Sequence, residues 1–504
     1  MDSHKNKEKG ITEVQKSVYN LISGVGGQIV SAVVGLIIPR LILLHYGSEA
    51  NGLLNSVNQI FQYVALLEAG VGTVTTQALY SRIARNDREG ISSCMQATAH
   101  YYRNTGIAYS AVVVFFAVLY PYVFHVEFPA GQVAGMITLM GVNGAINFFT
   151  AGRYRILLEA DGQKYIWNTA NMVTMTLANL IKALLIIQGK SMIIMQLGYT
   201  AVSLLQLAAV YGYGKKKYSW LDKKIKPDFS AVSQRYSALV HQVSGLIFGS
   251  TDMILLTAMC DLKQVSIYSV YSMVMNLVNN LISQISGSVT YKMGQIYYKD
   301  KERFILYHHV YEIANLILVF SAFTVAYLFL PAFIGLYTAG ITDANYQQAY
   351  LPILFVLVQL LSCGRTASAN VINYAGEFKN TQNRSIIESV INIVVSIVGI
   401  RYFGIYGALF GTIAALLYRT NDMIWYAAKR ILQISPWYTY RRWLGCGALF
   451  VIIGRVQNSL LIQAAGYLEL VLKAAVSGIV FMILYSTMEI ILDWKFLHRF
   501  LKNK

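Results

Sequence analysis

Apolar and polar positions alternate along this chain in blocks. Predominantly apolar runs of about 20 residues or more are separated by connectors of a few polar, charged or glycine positions. Runs of that length cross a bilayer core as helices, because a helix satisfies its own backbone hydrogen bonds there, and they are too long for barrel strands. The pattern predicts spans at 17–45, 51–80, 100–126, 132–158, 165–188, 191–214, 231–259, 265–293, 305–330, 347–374, 380–400, 403–428, 440–456 and 460–492. The expected class is an all-α integral membrane protein of about fourteen transmembrane helices.

The blocks also repeat. Displaced by 214 residues, Tyr46-Gly47-Ser48-Glu49-Ala50 falls on Cys260-Asp261-Leu262-Lys263-Gln264, and Asn86-Asp87 falls on Asp300-Lys301. Gly162 in "EADGQKY" falls on Gly376 in "NYAGEFK", and Lys215-Lys216 on Lys429-Arg430. The expected organisation is a basic cytoplasmic tail (1–16), an N-terminal six-helix bundle (17–214) and a basic cytoplasmic linker (215–230). A C-terminal six-helix bundle (231–430) follows, then helices 13 and 14 with a cytoplasmic tail (431–504). Two like halves of a membrane protein usually enclose a substrate path, which points to a transporter.

Charge fixes the expected orientation. Hydrophobic residues make up 56% of the chain, charged residues 13%, and the net charge is +17. Lys5, Lys7, Lys9 and Lys16 lie in the N-terminal tail, and Lys215, Lys216, Lys217, Lys223, Lys224 and Lys226 cluster in the linker. The outer connectors hold Lys190, Lys263, Arg401 and Arg455. Such asymmetry places both termini in the cytoplasm of a cell-membrane protein. The excess charge then reflects topology and contact with anionic membrane lipid, with no nucleic-acid partner. The first span is too long for a cleaved signal. Cys94, Cys260, Cys363 and Cys446 are scattered, suggesting neither a disulfide framework nor a metal site. With no Walker motif, HExxH, nucleophile elbow or Cys/His cluster, the expectation is no enzyme and no cofactor. The short outer connectors also leave no room for the external domain that a membrane glycosyltransferase or polymerase generally needs.

Ionisable residues inside spans are costly and need a partner or a wet cavity. Helical spacing offers partners to Glu469 (Lys473), Arg155 (Glu159), Arg384 (Glu388), Glu312 (His308 and His309) and Asp422 (Arg419). Arg40, Glu68, Lys182, Asp252 and Arg365 have no such neighbour. Arg40 follows Pro39, where the first helix is expected to bend. Polar uncharged residues form two stripes: Asn51, Asn55, Asn58, Gln59 and Gln62 in the second span, and Asn276, Asn279, Asn280, Ser283, Gln284 and Gly287 in the eighth. Steps of three and four residues put each stripe on one helical face. Shifted by 214, Asn55, Asn58 and Gln62 land on Ser269, Ser272 and Asn276, so equivalent helices carry the stripes, as walls of a shared aqueous cavity would.

Three passages resemble the polysaccharide (O-antigen-type) flippases of the multidrug/oligosaccharidyl-lipid/polysaccharide exporter superfamily. They are "IPRLILLHYGSEANGLLNSVNQIFQ" (38–62), "GSTDMILLTAMCDLKQVSIYSVYSMV" (249–274) and the paired "EADGQKY" and "NYAGEFKN" connectors. The resemblance implies a V-shaped pair of pseudo-symmetric six-helix bundles plus a C-terminal helix pair, working by alternating access. It implies transfer of polyprenyl-diphosphate-linked oligosaccharide to the outer leaflet, alongside a polysaccharide polymerase and glycosyltransferases. By analogy with lipid II flippases, Arg40, Arg365 and Lys182 would hold the diphosphate. Glu68 and Asp252 are the candidates for an exchanged Na⁺ or H⁺. A multidrug antiporter and a lipid II (peptidoglycan-precursor) flippase are the alternatives within the same superfamily.

Overall fold

The computed structural model describes residues 13–124, 126–222, 224–232, 251–457 and 465–494. These residues are helical between short connectors, and no strand occurs among them. Ten of the described helices are long and apolar enough to cross a membrane, which makes this a multi-pass membrane protein. Of the expected spans, 231–259 lies mostly outside the described residues. The first two run together in one long helix, and the twelfth (403–428) and thirteenth (440–456) are not among the ten; they contain Arg419 and Asp422, and Arg441, Arg442 and Arg455, which lower their hydropathy.

Two units separate at Leu246 and Ile247. The first contains α1 (Glu13–Ala84), α2 (Arg88–Val123), α3 (Ala130–Phe149), α4 (Gly152–Ala160), α5 (Lys164–Ile187) and α6 (Met192–Lys217). The second contains α7, described over 251–259, then α8 (Leu262–Lys299), α9 (Lys301–Tyr337), α10 (Leu351–Gly364) and α11 (Thr366–Tyr374). It continues with α12 (Phe378–Phe403), α13 (Ile405–Tyr426), α14 (Trp437–Gln457) and α15 (Tyr467–Leu492).

The repeat is written into the backbone. The first and last residues of α4 and α11 are each 214 positions apart. The glycines that follow them, Gly162 and Gly376, have φ of 71° and 69°, a left-handed conformation that glycine adopts without steric cost. The first turn of each unit is built by different means. In α1 the helix breaks at Gly47, with φ 83° and ψ 178°. Its counterpart uses Asp261 as an N-cap, whose carboxylate accepts from the Gln264 amide at 2.7 Å. Within α1, Pro39 stands in helix and the non-helical backbone is at Gly47.

The fourth span of each unit is interrupted at the same repeat position. α3 ends at Phe149 and α4 begins at Gly152; α10 ends at Gly364 and α11 begins at Thr366. Both breaks have a glycine where no side chain fits: a Cβ on Gly152 would lie 2.5 Å from the Tyr102 ring, and one on Gly364 2.5 Å from the Trp443 indole. Small residues also fix the contact of α12 with α13. A Cβ on Gly407 would fall 1.9 Å from the Gly399 carbonyl carbon, and one on Gly411 2.0 Å from Ser396 Oγ. Close backbone approach of this kind replaces the hydrophobic drive that lipid removes.

α14 and α15 pack on α9 through an apolar cluster around Leu328, Phe329 and Leu470 and through polar groups. Buried Arg442 pairs with Glu312 and, at 2.5 Å, with Asp493; Thr324 and Tyr485 share a hydrogen bond of 2.9 Å. The other side of α15 exposes Leu468, Val471, Ile479 and Ile483, the composition of a lipid-facing surface.

Candidate functional site

The break before α11 places Arg365 as both the last cap of α10 and the first of α11. Its guanidinium meets Glu388 on α12 at 2.8 Å. Glu388 also lies 3.4 Å from Arg419 on α13, and Arg419 donates to Asp422 at 2.6 Å. Asp422 in turn pairs with Arg384. The result is a ladder of three guanidinium groups and two carboxylates across three helices. Arg365, which has no neighbour at helical spacing, is thus paired across helices, and Arg384 takes Asp422 instead of the expected Glu388. Sequence spacing could not find this, because the tight α12–α13 contact brings together residues 38 positions apart. Of the other local pairs, Glu469–Lys473 forms at 2.6 Å. Glu159 pairs with Lys164 at 2.6 Å, while Arg155 lies over the Trp167 ring.

Beside Arg365, the polar stripe of α8 opens on a pocket of about 340 Å³, lined by Asn279, Ser283, Ser286, Thr290, Thr366 and Asn370 among others. Among the described residues, its lining carries mainly amides and hydroxyls and no charged side chain. Asn279 donates to Gln359 at 3.3 Å and accepts from Ser283 at 3.1 Å. Buried Asn315 accepts from Ser286 at 3.0 Å and donates to the Cys363 carbonyl at 3.2 Å, beside the helix break. Asn276, Asn280 and Gln284 continue the stripe as exposed side chains. In the first unit Asn51 is buried and accepts from Asn55 at 3.2 Å, Gln59 is half-buried, and Asn58 and Gln62 are exposed. Part of each stripe is thus packing and part is open surface.

A second cluster surrounds Asp252 on α7, which is 7% exposed. The Tyr268 and Thr412 hydroxyls donate to its Oδ2 at 2.8 and 2.7 Å, and Asn392 donates to Thr412 at 2.9 Å. Asp252 Oδ1 and Asn392 Oδ1 are buried without a hydrogen-bond partner. Asp252 is thus surrounded by neutral oxygen ligands. Asn392 and Thr412 had no distinguishing mark in the sequence beyond being polar in a span.

The remaining candidates are dispersed. Lys182 on α5 holds its ammonium over the Tyr199 ring at 5.1 Å. Arg40 is half-buried in α1. The Glu68 side chain lies outside the described part of the structure. Among the described residues, no group of three or more His, Cys, Asp or Glu is placed to hold a metal ion.

Broken membrane helices, an internal repeat and polar clusters within each unit are features that recur together in membrane transporters. Comparison with solved structures agrees. The chain is similar to the lipid II flippase MurJ in its inward closed conformation, with a TM-score of 0.70, 12% identity, and coverage of 95% of this chain and 99% of that one. It is similar to an inward-facing multidrug resistance MATE family transporter of the MOP superfamily, with a TM-score of 0.64, 14% identity and coverage of 79% and 94%. It is also similar to the MATE multidrug transporter DinF-BH, with a TM-score of 0.55, 16% identity and coverage of 86% and 99%. No family model and no curated protein matches the sequence. The chain therefore shares the fold of MOP superfamily members.

Proposed function

We propose that the protein is a flippase that carries polyprenyl-diphosphate-linked oligosaccharide from the inner to the outer leaflet of the cell membrane by alternating access, for surface polysaccharide assembly. The observation that carries this reading is the uncharged polar pocket beside a cation-rich ladder. Amides and hydroxyls suit sugar hydroxyls, and a ladder with three guanidinium groups against two carboxylates retains an excess positive charge for a diphosphate. A cavity selecting cationic drugs would be expected to carry the opposite excess. Arg365 is the proposed diphosphate contact in this unit, with Arg40 and Lys182 as the candidates in the other. Membrane lipid surrounds the carrier, and the polymerase and glycosyltransferases act before and after it.

Asp252 supports ion coupling. A single carboxylate with neutral oxygen neighbours, two of its cluster's acceptor atoms unsatisfied, suits a hard monovalent cation or a proton. Purified protein in liposomes, supplied with a fluorescent polyprenyl-diphosphate sugar, tests the reading. Lipid II and a cationic dye, offered in parallel, distinguish the peptidoglycan-precursor flippase and the multidrug antiporter.

A further inference from the structure

A pocket of about 440 Å³ lies in the first unit, beside the break between α3 and α4, and none of its lining residues is discussed above as a substrate or ion contact. Tyr102 and Phe148 give it an aromatic wall, and Gln96, His100, Arg103 and Arg153 give it polar and cationic groups. Pro227 of the linker closes one side. That side is tied down: Ser93 donates to the Lys226 carbonyl at 2.6 Å, Gln96 to the Asp222 carbonyl at 3.2 Å, and Arg82 pairs with Asp228 at 2.7 Å.

Arg153 stacks on the Tyr154 ring at 5.0 Å, and its Nε is buried without a hydrogen-bond partner. Arg103 is exposed at the pocket rim. Among the described residues, neither forms an ion pair with a carboxylate. The repeat shows that packing does not demand them. Positions 214 further on hold Val310 for Gln96, Ala314 for His100, Ile317 for Arg103 and Ala367 for Arg153. The same helices are thus built in the second unit with apolar residues at all four places.

Depth narrows the ligand. α2 has 36 residues, a length of about 54 Å, against a hydrocarbon core of about 30 Å. The strongly apolar part of α2 follows Asn104, so Gln96 to Arg103 stand at the edge of the membrane core, where lipid phosphates lie. We propose that this pocket binds a phosphate group, with Arg103 and Arg153 as the anion contacts and His100 and Gln96 as further donors. The phosphate belongs either to a phospholipid headgroup or to a water-soluble phosphate compound. The proposal does not rest on the flippase reading.

The test uses the full-length protein in dodecyl maltoside, free of phosphate. One arm titrates pyrophosphate by calorimetry. The other counts bound dioleoylphosphatidylglycerol by native mass spectrometry, with dioleoylglycerol as the phosphate-free control. The unmodified protein should bind in at least one arm, and Arg103→Ile/Arg153→Ala, which copies the second unit, should weaken that binding by about tenfold or more. Binding of the lipid alone assigns the headgroup, and binding of pyrophosphate assigns a soluble phosphate. Equal binding by protein and variant, or no binding in either arm, overturns the proposal. Should the double variant melt early, Arg103→Gln, at an exposed side chain, is read by the same two criteria.

Discussion

Arg365 owes its position to the break between α10 and α11 and its orientation to Glu388 at 2.8 Å. Arg365→Ala leaves Glu388 with Arg419, so the variant should still fold, while transport of a diphosphate-linked sugar should fall by about tenfold or more. Unchanged transport in that variant would take Arg365 out of the substrate site. Asp252→Asn keeps the size of the side chain and the acceptor facing Tyr268 and Thr412 but removes its charge. Transport by this variant should lose its dependence on a Na⁺ or proton gradient; an unaltered dependence would place coupling elsewhere. In the sequence, both residues are visible as isolated charges in apolar runs. Their partners are not, because Glu388, Arg419, Asn392 and Thr412 come together from different helices, beyond the reach of spacing along any one of them. Spacing on one helix names Arg384 for Glu388, and the folded protein gives it Arg365 instead.

At the scale of elements, the stripes predict a gradient of access along each helix. A cysteine in place of exposed Asn276 should react with a hydrophilic thiol reagent, and one in place of buried Asn51 should be protected. Equal protection of both would make the whole stripe of α8 a packing surface. The native background is low, since Cys94, Cys363 and Cys446 are buried. Cys260, in the turn before α8, is half-buried, and burial followed by the charge of Asp261 pushes its thiol up to about 11. Little of it is the reactive thiolate near neutral pH, so background labelling should rise only as the pH increases. The stripes were legible because a period of three to four residues survives in any helix. The breaks at Thr150 and Arg365 were not, because neither carries a proline and the interruption depends on what Tyr102 and Trp443 press against.

The whole molecule was the most legible level. The 214-residue repeat is carried by connectors, and connectors are marked by glycine, charge and caps even where the apolar residues between them have drifted. Gly162 and Gly376 share a left-handed backbone for that reason. A carrier of a diphosphate must also answer to the membrane potential: a head group of charge about −2 leaving a negative interior gains roughly 4–5 kcal/mol per 100 mV. The most direct measurement is therefore flipping of a fluorescent polyprenyl-diphosphate sugar in liposomes under an imposed potential of either sign. Flipping toward the positive side that is lost in Arg365→Ala is the expected result. Transport of a cationic dye with no flipping of any diphosphate lipid would contradict it and move the protein to the drug-antiporter reading.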